Sequence, residues 1–103
     1  MAHRAWEAGT IGARLLGLLG RSVLEPGEAL WLPANGIHTF GLRFAIDVVV
    51  LDREGRVLRV EHGLSPNRVI WPVRGGRVTI EMAPGEAAHH EICRGGRIER
   101  VDS

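Results

Sequence analysis

The sequence predicts a single α+β domain over residues 1–103, with a mostly antiparallel sheet of five to six or more strands and one or two short helices. Short apolar or alternating segments recur between turns that contain glycine and proline, which is typical of antiparallel strands. Helical spacing is confined to one stretch near each end of the chain. A chain of 103 residues is long enough for one core and too short for a second domain.

The N-terminal part of the chain predicts one short helix followed by a strand. Apolar residues recur at helical spacing within residues 10–19, and Thr10 is suited to cap a helix there. Three glycines in or beside this segment weaken the helix, so it depends on packing. The turn signal Pro26-Gly27 then separates it from a short strand over residues 29–33.

The centre of the sequence predicts a long strand that leads into a hairpin. Alternation over residues 38–51 places on the core face His38, Phe40, Leu42, Phe44, Ile46, Val48 and Val50. The opposite face begins with polar side chains and becomes apolar in its second half. The segment 52–55, Asp-Arg-Glu-Gly, predicts a tight turn, and a strand follows from Arg56 to about His62.

The C-terminal half predicts further short elements separated by glycine and proline turns. In chain order they are an extended piece at 68–71, a strand at 77–82, a helix of about two turns at 86–93 and a last strand at 97–101. Arginine flanks the turn glycines Gly55, Gly75 and Gly95. Such segments can bind single-stranded nucleic acid, but no aromatic stripe accompanies them. We therefore interpret them as hairpin turns with soluble strand ends.

Composition excludes several classes of chemistry. All thirteen basic residues are arginine, so the sequence has no lysine for Schiff-base catalysis. The formal net charge of +1 is spread along the chain, which argues against bulk binding to nucleic acid or to an anionic membrane. Cys93 is the only cysteine, which rules out an intramolecular disulfide and favours a reducing compartment. The polar N-terminus and the short apolar runs predict a cytoplasmic protein.

Polar residues of the central strand are candidates for ligand binding. Thr39, Arg43 and Asp47 lie on one strand face, with about 13 Å between neighbours, so each needs a partner elsewhere. The planar guanidinium of Arg43 is suited to bind a carboxylate or a phosphate. Its structural alternative is an ion pair with Glu61 or Glu81 on an adjacent strand.

Asp47 and His38 are the residues of this strand that can transfer protons. Asp47 is flanked by apolar residues, where an unpaired carboxylate is costly. It acts either as a ligand contact or general base, or as an acceptor of bonds from the backbone or from an arginine such as Arg14, Arg21 or Arg68. His38, at the strand entrance, acts either as a proton shuttle or as a half-buried hydrogen-bonding residue.

One further cluster has metal-ligand chemistry. His89 and Cys93 share a face of the predicted C-terminal helix, as zinc ligands do, but two ligands do not complete a site. We therefore interpret the cluster as a solvated helix end and expect no metal and no cofactor. Hydrolase chemistry is unsupported, because Ser22, Ser65 and Cys93 lack the strand-turn-helix context of an activated nucleophile.

Four segments together resemble a known family. They are RLLGLLGR at 14–21, NGIHTFGLRFAIDVVVLDREGRVLRV at 35–60, RGGRVTIEMAPGEA at 74–87 and CRGGRI at 93–98. In this order, over about residues 6–101, they resemble the bacterial and archaeal family called domain of unknown function 192, also known as uncharacterised protein family 0127. The resemblance implies a β-rich α+β domain in which an N-terminal helix packs against a curled or barrel-like sheet. It implies no activity, because the family has no established one.

The central block of this resemblance holds most of the candidate polar residues. The chain keeps the family pattern at Asn35, His38, Thr39, Phe40, Arg43, Phe44, Ile46, Asp47 and Asp52. It departs from the pattern at Leu42 and Ala45, which changes packing rather than chemistry. Asn67 stands where the family tends to have tryptophan, so an aromatic wall is missing there.

Together these observations predict a small non-enzymatic binding or interaction module. Its expected binding site is a polar patch formed by Asn35, His38, Thr39, Arg43, Asp47 and Arg68. The alternative is a small enzyme that acts on an anionic molecule through His38 and Asp47, with Arg43 and Arg68 as anion binders. The expected partner is a small molecule or a protein rather than nucleic acid or a membrane. The expected assembly is a monomer or a weak homodimer formed through sheet edges or the Trp71 region.

Overall fold

The computed structural model describes residues 4–7 and 28–98 of the chain. In chain order the elements are β1 Arg4–Glu7, β2 Glu28–Leu32, β3 Ile37–His38, β4 Ile46–Leu51, β5 Val57–Leu64, β6 Val69–Ile70, β7 Val78–Met82 and α1 Glu86–His89. The helix predicted at 10–19, the turn at Pro26-Gly27 and the end of the last predicted strand lie outside the described residues.

The main sheet is mostly antiparallel, as the sequence predicts. Four antiparallel strands follow one another in the order β2-β7-β4-β5, and β1 pairs in parallel with the outer edge of β2. The pairing of Trp31 with Ile80, of Ile80 with Val49, and of Val49 with Val60 runs as one row across these four strands. All six residues of β4 are buried, which explains why its second half is apolar without alternation.

A second, two-stranded sheet covers one face of the main sheet. It consists of β3 and β6, paired antiparallel with Ile37 opposite Ile70 and His38 opposite Val69, and we call it the ribbon. The isoleucines of the ribbon are buried against the main sheet in one cluster with Leu30, Leu32, Ile46, Val48 and Val50. The described part of the domain therefore has the ribbon as its first layer and the main sheet as its second.

The other face of the main sheet is covered by α1 and by the segment that follows it. Ala87 of α1 and Ile98 pack in a cluster with sheet residues Trp31, Val49, Leu51, Ile80 and Met82. Paired sheet residues thus alternate between the ribbon side and the α1 side. This alternation decides on which side each candidate site residue lies.

The expected curled or barrel-like sheet is wrong. The main sheet is open within the described residues, because its outer strands β1 and β5 do not pair with each other. The long strand predicted over 38–51 is also wrong, since the chain leaves β3 at Thr39 and re-enters the main sheet at Ile46. The Leu42 N–H donates to the Thr39 carbonyl at 3.2 Å, and Gly41 has a φ of +86°. This turn interrupts the strand and leaves Phe40 on the surface.

The predicted hairpin between β4 and β5 is confirmed. The Asp52 carboxylate accepts hydrogen bonds from the backbone N–H groups of Glu54 and Arg56, at 2.8 and 2.9 Å. These bonds close the turn, and Gly55 supplies the positive φ, +83°, that the turn needs. The bond from the Arg56 N–H, as the main cause, lowers the pKa of Asp52 below its usual value.

The other predicted strands and the C-terminal helix are present with small differences, whereas the described part of the last predicted strand, 97–101, shows only an isolated bridge between Arg56 and Arg97. Strands β6 and β7 lie inside the predicted segments 68–71 and 77–82. The predicted C-terminal helix is shorter than 86–93, because it ends at His89 and Glu91 takes a left-handed φ of +55°. The turn glycines Gly75 and Gly95 have positive φ, which fits the interpretation of the arginine-flanked glycines as turns.

Candidate functional site

The predicted site residues lie on two different sides of the main sheet. Asn35, His38 and Thr39 belong to the ribbon or its ends, Arg43 lies in the loop between β3 and β4, and Arg68 precedes β6. Asp47 lies on β4 and bonds to α1, which covers the opposite face. The structure therefore does not bring the six residues together in one patch.

Asp47 is fully buried, and its carboxylate is occupied by backbone groups. Its Oδ1 accepts a hydrogen bond from the Gly63 N–H at 2.8 Å, and its Oδ2 accepts from the N–H groups of Gly85 and Ala87 at 2.9 and 3.0 Å. These bonds join a bulged part of β5 to the turn and first residues of α1. Of the structural partners considered for Asp47, the backbone is the one seen among the described residues, and Arg14 and Arg21 lie outside them.

Thr39 joins the end of β3 to the start of β6 at one end of the ribbon. Its Oγ1 accepts from the Arg68 N–H at 2.8 Å and donates to the Ser65 carbonyl at 2.9 Å. Its backbone N–H donates to the Arg68 carbonyl at 2.8 Å, and its carbonyl accepts from the Asn67 N–H at 3.0 Å. Because Thr39 is fully buried, this hydroxyl is not available to a ligand in the folded protein.

Asn35 makes the equivalent connection at the other end of the ribbon. Its Nδ2 donates to the Val73 carbonyl at 2.7 Å, and its Oδ1 accepts from the Val73 N–H at 2.9 Å. The side-chain amide thus continues the ladder of backbone hydrogen bonds beyond β3 and β6. Asn35 therefore positions the segment after β6 rather than pointing its amide outward.

Sequence reasoning missed a further positioning residue, Thr79 on β7. Its Oγ1 donates to the Ala34 carbonyl at 2.8 Å and accepts from the Gly36 N–H at 3.1 Å. Thr79 is fully buried, and it attaches the start of the ribbon to the main sheet. The strand pattern Val-Thr-Ile-Glu-Met, with polar residues at alternate positions, was the available signal for an inward polar side chain. Glu81 on the same face is also fully buried, and it has an interaction partner.

His38 lies on the outward face of the ribbon. Its ring stacks on that of Phe40, with 5.0 Å between ring centroids and an interplanar angle of 25°. The side chain is half-buried, as expected for a histidine at a strand entrance. Its Nδ1 is buried and has no hydrogen-bond partner in the part of the chain that the structure describes, so the expected hydrogen-bonding role is not seen there for this atom.

Arg43 and Arg68 are both exposed. Among the described residues, neither guanidinium forms an ion pair or a side-chain hydrogen bond. Glu61, one of the acids considered as a partner for Arg43, instead pairs with Arg59 at 2.8 Å. Both arginines are therefore available to a carboxylate or phosphate of a partner.

Large apolar side chains are exposed beside these arginines. Ile37 and Ile70 face the core, so strand alternation turns their neighbours outward. The outward residues are Phe40, Val69 and Trp71, with 51%, 37% and 71% of their surfaces exposed, together with the half-buried ring of His38. We call these four residues the ribbon surface.

Gly36 explains part of the exposure of Trp71. Extending the pairing of Ile37 with Ile70 by one residue places Gly36 across from Trp71. Gly36 has a φ of +91°, and a Cβ at this position would overlap the Ile70 carbonyl oxygen. The residue must therefore be glycine, and no cross-strand side chain covers the indole from that side.

Sequence reasoning assigned Phe40 to the core, and the structure corrects this. The inward residues here are Ile37 and Thr39, one position out of phase with the predicted alternation, so His38 and Phe40 both face outward and their rings stack at the surface. Leu42, in contrast, is buried as predicted. The available signal for the turn was Gly41, because glycine is disfavoured inside strands and readily takes the positive φ seen here.

The proposed pairing of His38 with Asp47 is absent. His38 is on the outward face of the ribbon, whereas the Asp47 carboxylate bonds to Ala87 on the α1 side of the main sheet. The whole buried sheet separates the two groups. Proton transfer between them in the folded protein is therefore excluded.

The metal-ligand cluster near the C-terminus is also incomplete. Because α1 ends at His89, Cys93 does not share a helix face with it, and the Cys93 thiol donates to the Glu91 carbonyl at 3.4 Å. Within the described residues, no three histidine, cysteine or acidic side chains are grouped to hold a metal ion. Nor does any helix in residues 4–7 and 28–98 have the length and apolarity to cross a membrane.

Comparisons with known proteins identify a family and a fold. The family model described as Uncharacterized ACR, domain of unknown function 192, matches residues 2–100. No curated protein matches the chain. A solved protein of unknown function from Novosphingobium aromaticivorans has 20% sequence identity and a TM-score of 0.77, and the match covers 93% of this chain and 74% of that chain.

A second solved structure has the same fold. It is described as a putative transcription regulator from Sinorhizobium meliloti, and it has 16% sequence identity and a TM-score of 0.78. The match covers 92% of this chain and 79% of that chain. At identities this low, both similarities show the fold alone.

Proposed function

Because the chain belongs to the family called domain of unknown function 192, a membership that assigns no activity, we propose a function from its surface. The protein is a non-enzymatic interaction module that binds a protein partner through the ribbon surface, His38, Phe40, Val69 and Trp71. Arg43 and Arg68 at the edge of this surface contribute to the binding. In this proposal Asn35 and Thr39 hold the surface in place, Asp47 joins β5 to α1 on the other side of the sheet, and none of the three contacts the partner.

The exposure of Phe40 and Trp71 is the observation that carries this proposal. Each large aromatic side chain gains roughly 1.5–3 kcal/mol when it is moved from water into an apolar contact. The other side of the ribbon is already buried, so the exposed aromatics are not needed to fill the core. Tryptophan and arginine are also the residue types that contribute most often to binding hot spots.

The enzymatic alternative has less support from the same geometry. It requires His38 and Asp47 to act together, but the main sheet separates them. Within residues 4–7 and 28–98, the hydrogen bonds of the Asp47 carboxylate all go to the backbone, in a position that solvent does not reach. With Asp47 occupied in this way, the pair that would make His38 a general base is not formed.

Selection from a display library of random 12-residue peptides tests the proposal. We expect binders with micromolar affinity whose binding is lost in Trp71→Ser and in Phe40→Ser. His89→Ser serves as the control, because His89 is an exposed ring on the α1 side of the sheet. The proposal fails when the selected peptides bind both ribbon variants as well as they bind wild type.

A further inference from the structure

The two strands of the ribbon lie within two stretches of the sequence that have an unusual charge distribution. Residues 29–46 and 62–80 contain Arg43, Arg68, Arg74 and Arg77 and no aspartate or glutamate. The remainder of the chain contains the other nine arginines and all twelve acidic residues. The formal net charge of +1 therefore combines two basic stretches around the ribbon strands with a remainder of the chain that is acidic overall.

The four arginines lie at the two ends of the ribbon. Arg68 and Arg43 are near the Thr39 end, where Thr39 bonds to the Arg68 backbone and closes the turn toward Leu42. Arg74 and Arg77 are near the other end, where Asn35 bonds to Val73 and lies directly against Gly76. His38, Val69 and Trp71 lie along the ribbon between these two ends, and Phe40 lies at the Thr39 end against His38.

None of the four positive charges is neutralised by the described residues. All four side chains are exposed, and none forms an ion pair or a side-chain hydrogen bond there. Two acidic residues elsewhere have local partners, because Glu61 pairs with Arg59 and Asp52 accepts from the backbone of its own turn. An apolar centre with arginines at its margin is the common anatomy of a protein interface.

Resting on the proposed function, we infer that the partner segment is acidic and extended. Its apolar side chains pack on Phe40 and Trp71, and its carboxylates bind the arginine pairs at the ends of the ribbon. The ribbon region from Asn35 to Thr39 spans roughly 13 Å, the length of about four extended residues. The inferred motif is therefore one or more apolar residues between acidic residues that are about four positions apart.

Two other occupants fit the observations less well. A second copy that pairs ribbon to ribbon would place the same positive residues against each other, which repels. A single-stranded nucleic acid would use the aromatics and arginines, but it binds best along a continuous basic groove, whereas these four arginines lie in two separate pairs. Both are outcomes that the experiment separates from an acidic peptide.

The experiment uses the full chain and the peptide pool selected by display, with affinities measured by fluorescence anisotropy. The inference predicts a pool rich in aspartate and glutamate around apolar residues. Arg43→Ser/Arg68→Ser and Arg74→Ser/Arg77→Ser should each weaken binding by about tenfold or more. Arg53→Ser/Arg94→Ser is the matched control, because it removes the same charge at exposed turns elsewhere, and it should weaken binding by less than about threefold.

The outcomes distinguish the inference from the proposed function. If the selected peptides are neutral or basic and their binding still depends on Trp71, the inference of an acidic partner is wrong and the proposed function stands. A pool that does not depend on Trp71 would overturn both. Tighter Trp71-dependent binding of a 12-nucleotide oligothymidylate, or Trp71-dependent dimers in sedimentation, would replace the acidic peptide with nucleic acid or with a second copy.

Discussion

At the residue scale, most polar side chains of the central block hold the backbone together. Asn35 and Thr39 bond to segments 38 and 29 residues away, and Asp47 bonds to backbone 16, 38 and 40 residues away. The sequence indicated that these residues mattered but not for what purpose, because contacts at this distance are not encoded in local spacing. The sequence left open whether Arg43 pairs with an acid such as Glu61, and its exposure is seen only in the structure.

Replacing Asp47 with asparagine should destabilise the fold. Asparagine has one acceptor oxygen and places an NH₂ group against backbone N–H donors, so at least one buried donor loses its partner. We expect Asp47→Asn to lower the free energy of unfolding by about 2–4 kcal/mol in urea denaturation. Glu61→Gln, which removes a partly exposed ion pair with Arg59, is the control and should cost less than about 1 kcal/mol. If Asp47→Asn were as stable as the wild type, the hydrogen bonds between the Asp47 carboxylate and the backbone would not stabilise the fold.

Arg43→Ala should separate a structural role from a binding role for this arginine. The side chain is exposed and makes no ion pair or side-chain hydrogen bond with described residues, so stability should change by less than about 0.5 kcal/mol. Thermal unfolding followed by circular dichroism measures this. A large loss of stability would mean that Arg43 supports the fold, and Arg43 would then have no place in the binding surface.

The Asp52 turn should make a pH-dependent contribution to stability. Its pKa is lowered in the folded protein, so its contribution is present above the usual pKa of about 3.8 and is lost as the pH falls through the folded value. The stability difference between wild type and Asp52→Ala should therefore be constant near pH 7 and shrink below about pH 4. Urea titrations of both proteins from pH 7 to pH 3 measure it, and a difference that does not change with pH would contradict the assignment.

At the element scale, local turn chemistry made the hairpin and the short strands predictable, and strand alternation alone misplaced the central strand. Asp52 and Gly55 specify their turn within four residues, so the hairpin follows from the sequence. Over 38–45 the alternation continued, although Gly41 bends the chain there. The ribbon was missed as a separate layer for this reason, and with it the exposure of Phe40.

The ribbon should depend on Gly36. Alanine there needs an unfavourable positive φ, and its Cβ would meet the Ile70 carbonyl oxygen, so we expect Gly36→Ala to cost roughly 2–4 kcal/mol. Gly63→Ala is the matched control, because its φ of +59° is also positive but nothing lies within 4 Å of the added Cβ. It should cost about 1 kcal/mol. Equal losses in urea denaturation would show that close approach in the ribbon is not what requires glycine.

At the scale of the whole molecule, the fold places the buried Asp47 and the surface proposed to bind a partner on opposite sides of the main sheet. The open sheet holds Asp47 on the α1 side and displays the ribbon surface on the other, so one sequence block serves two sides. The family resemblance gave the β-rich class, and it also led to the incorrect expectation of a curled sheet. The two stretches without aspartate or glutamate can be read from the sequence, but only the structure shows that their strands β3 and β6 pair to form the ribbon.

The charge distribution also predicts the assembly state. A ribbon-to-ribbon dimer would bring like charges together, so light scattering at low salt should give the monomer mass of 11.3 kDa. A stable mass twice as large that returns to the monomer in Trp71→Ser would contradict this prediction.

Chemical-shift mapping with a selected peptide tests directly whether the ribbon surface is the binding site. The peptide is titrated into nitrogen-15-labelled protein, and the amide shifts are followed together with that of the Trp71 indole N–H. Binding at the ribbon surface predicts that the largest shifts fall on His38, Phe40, Val69 and Trp71. Shifts confined to the α1 side, around His90 and Cys93, with an unmoved Trp71 indole, would contradict it.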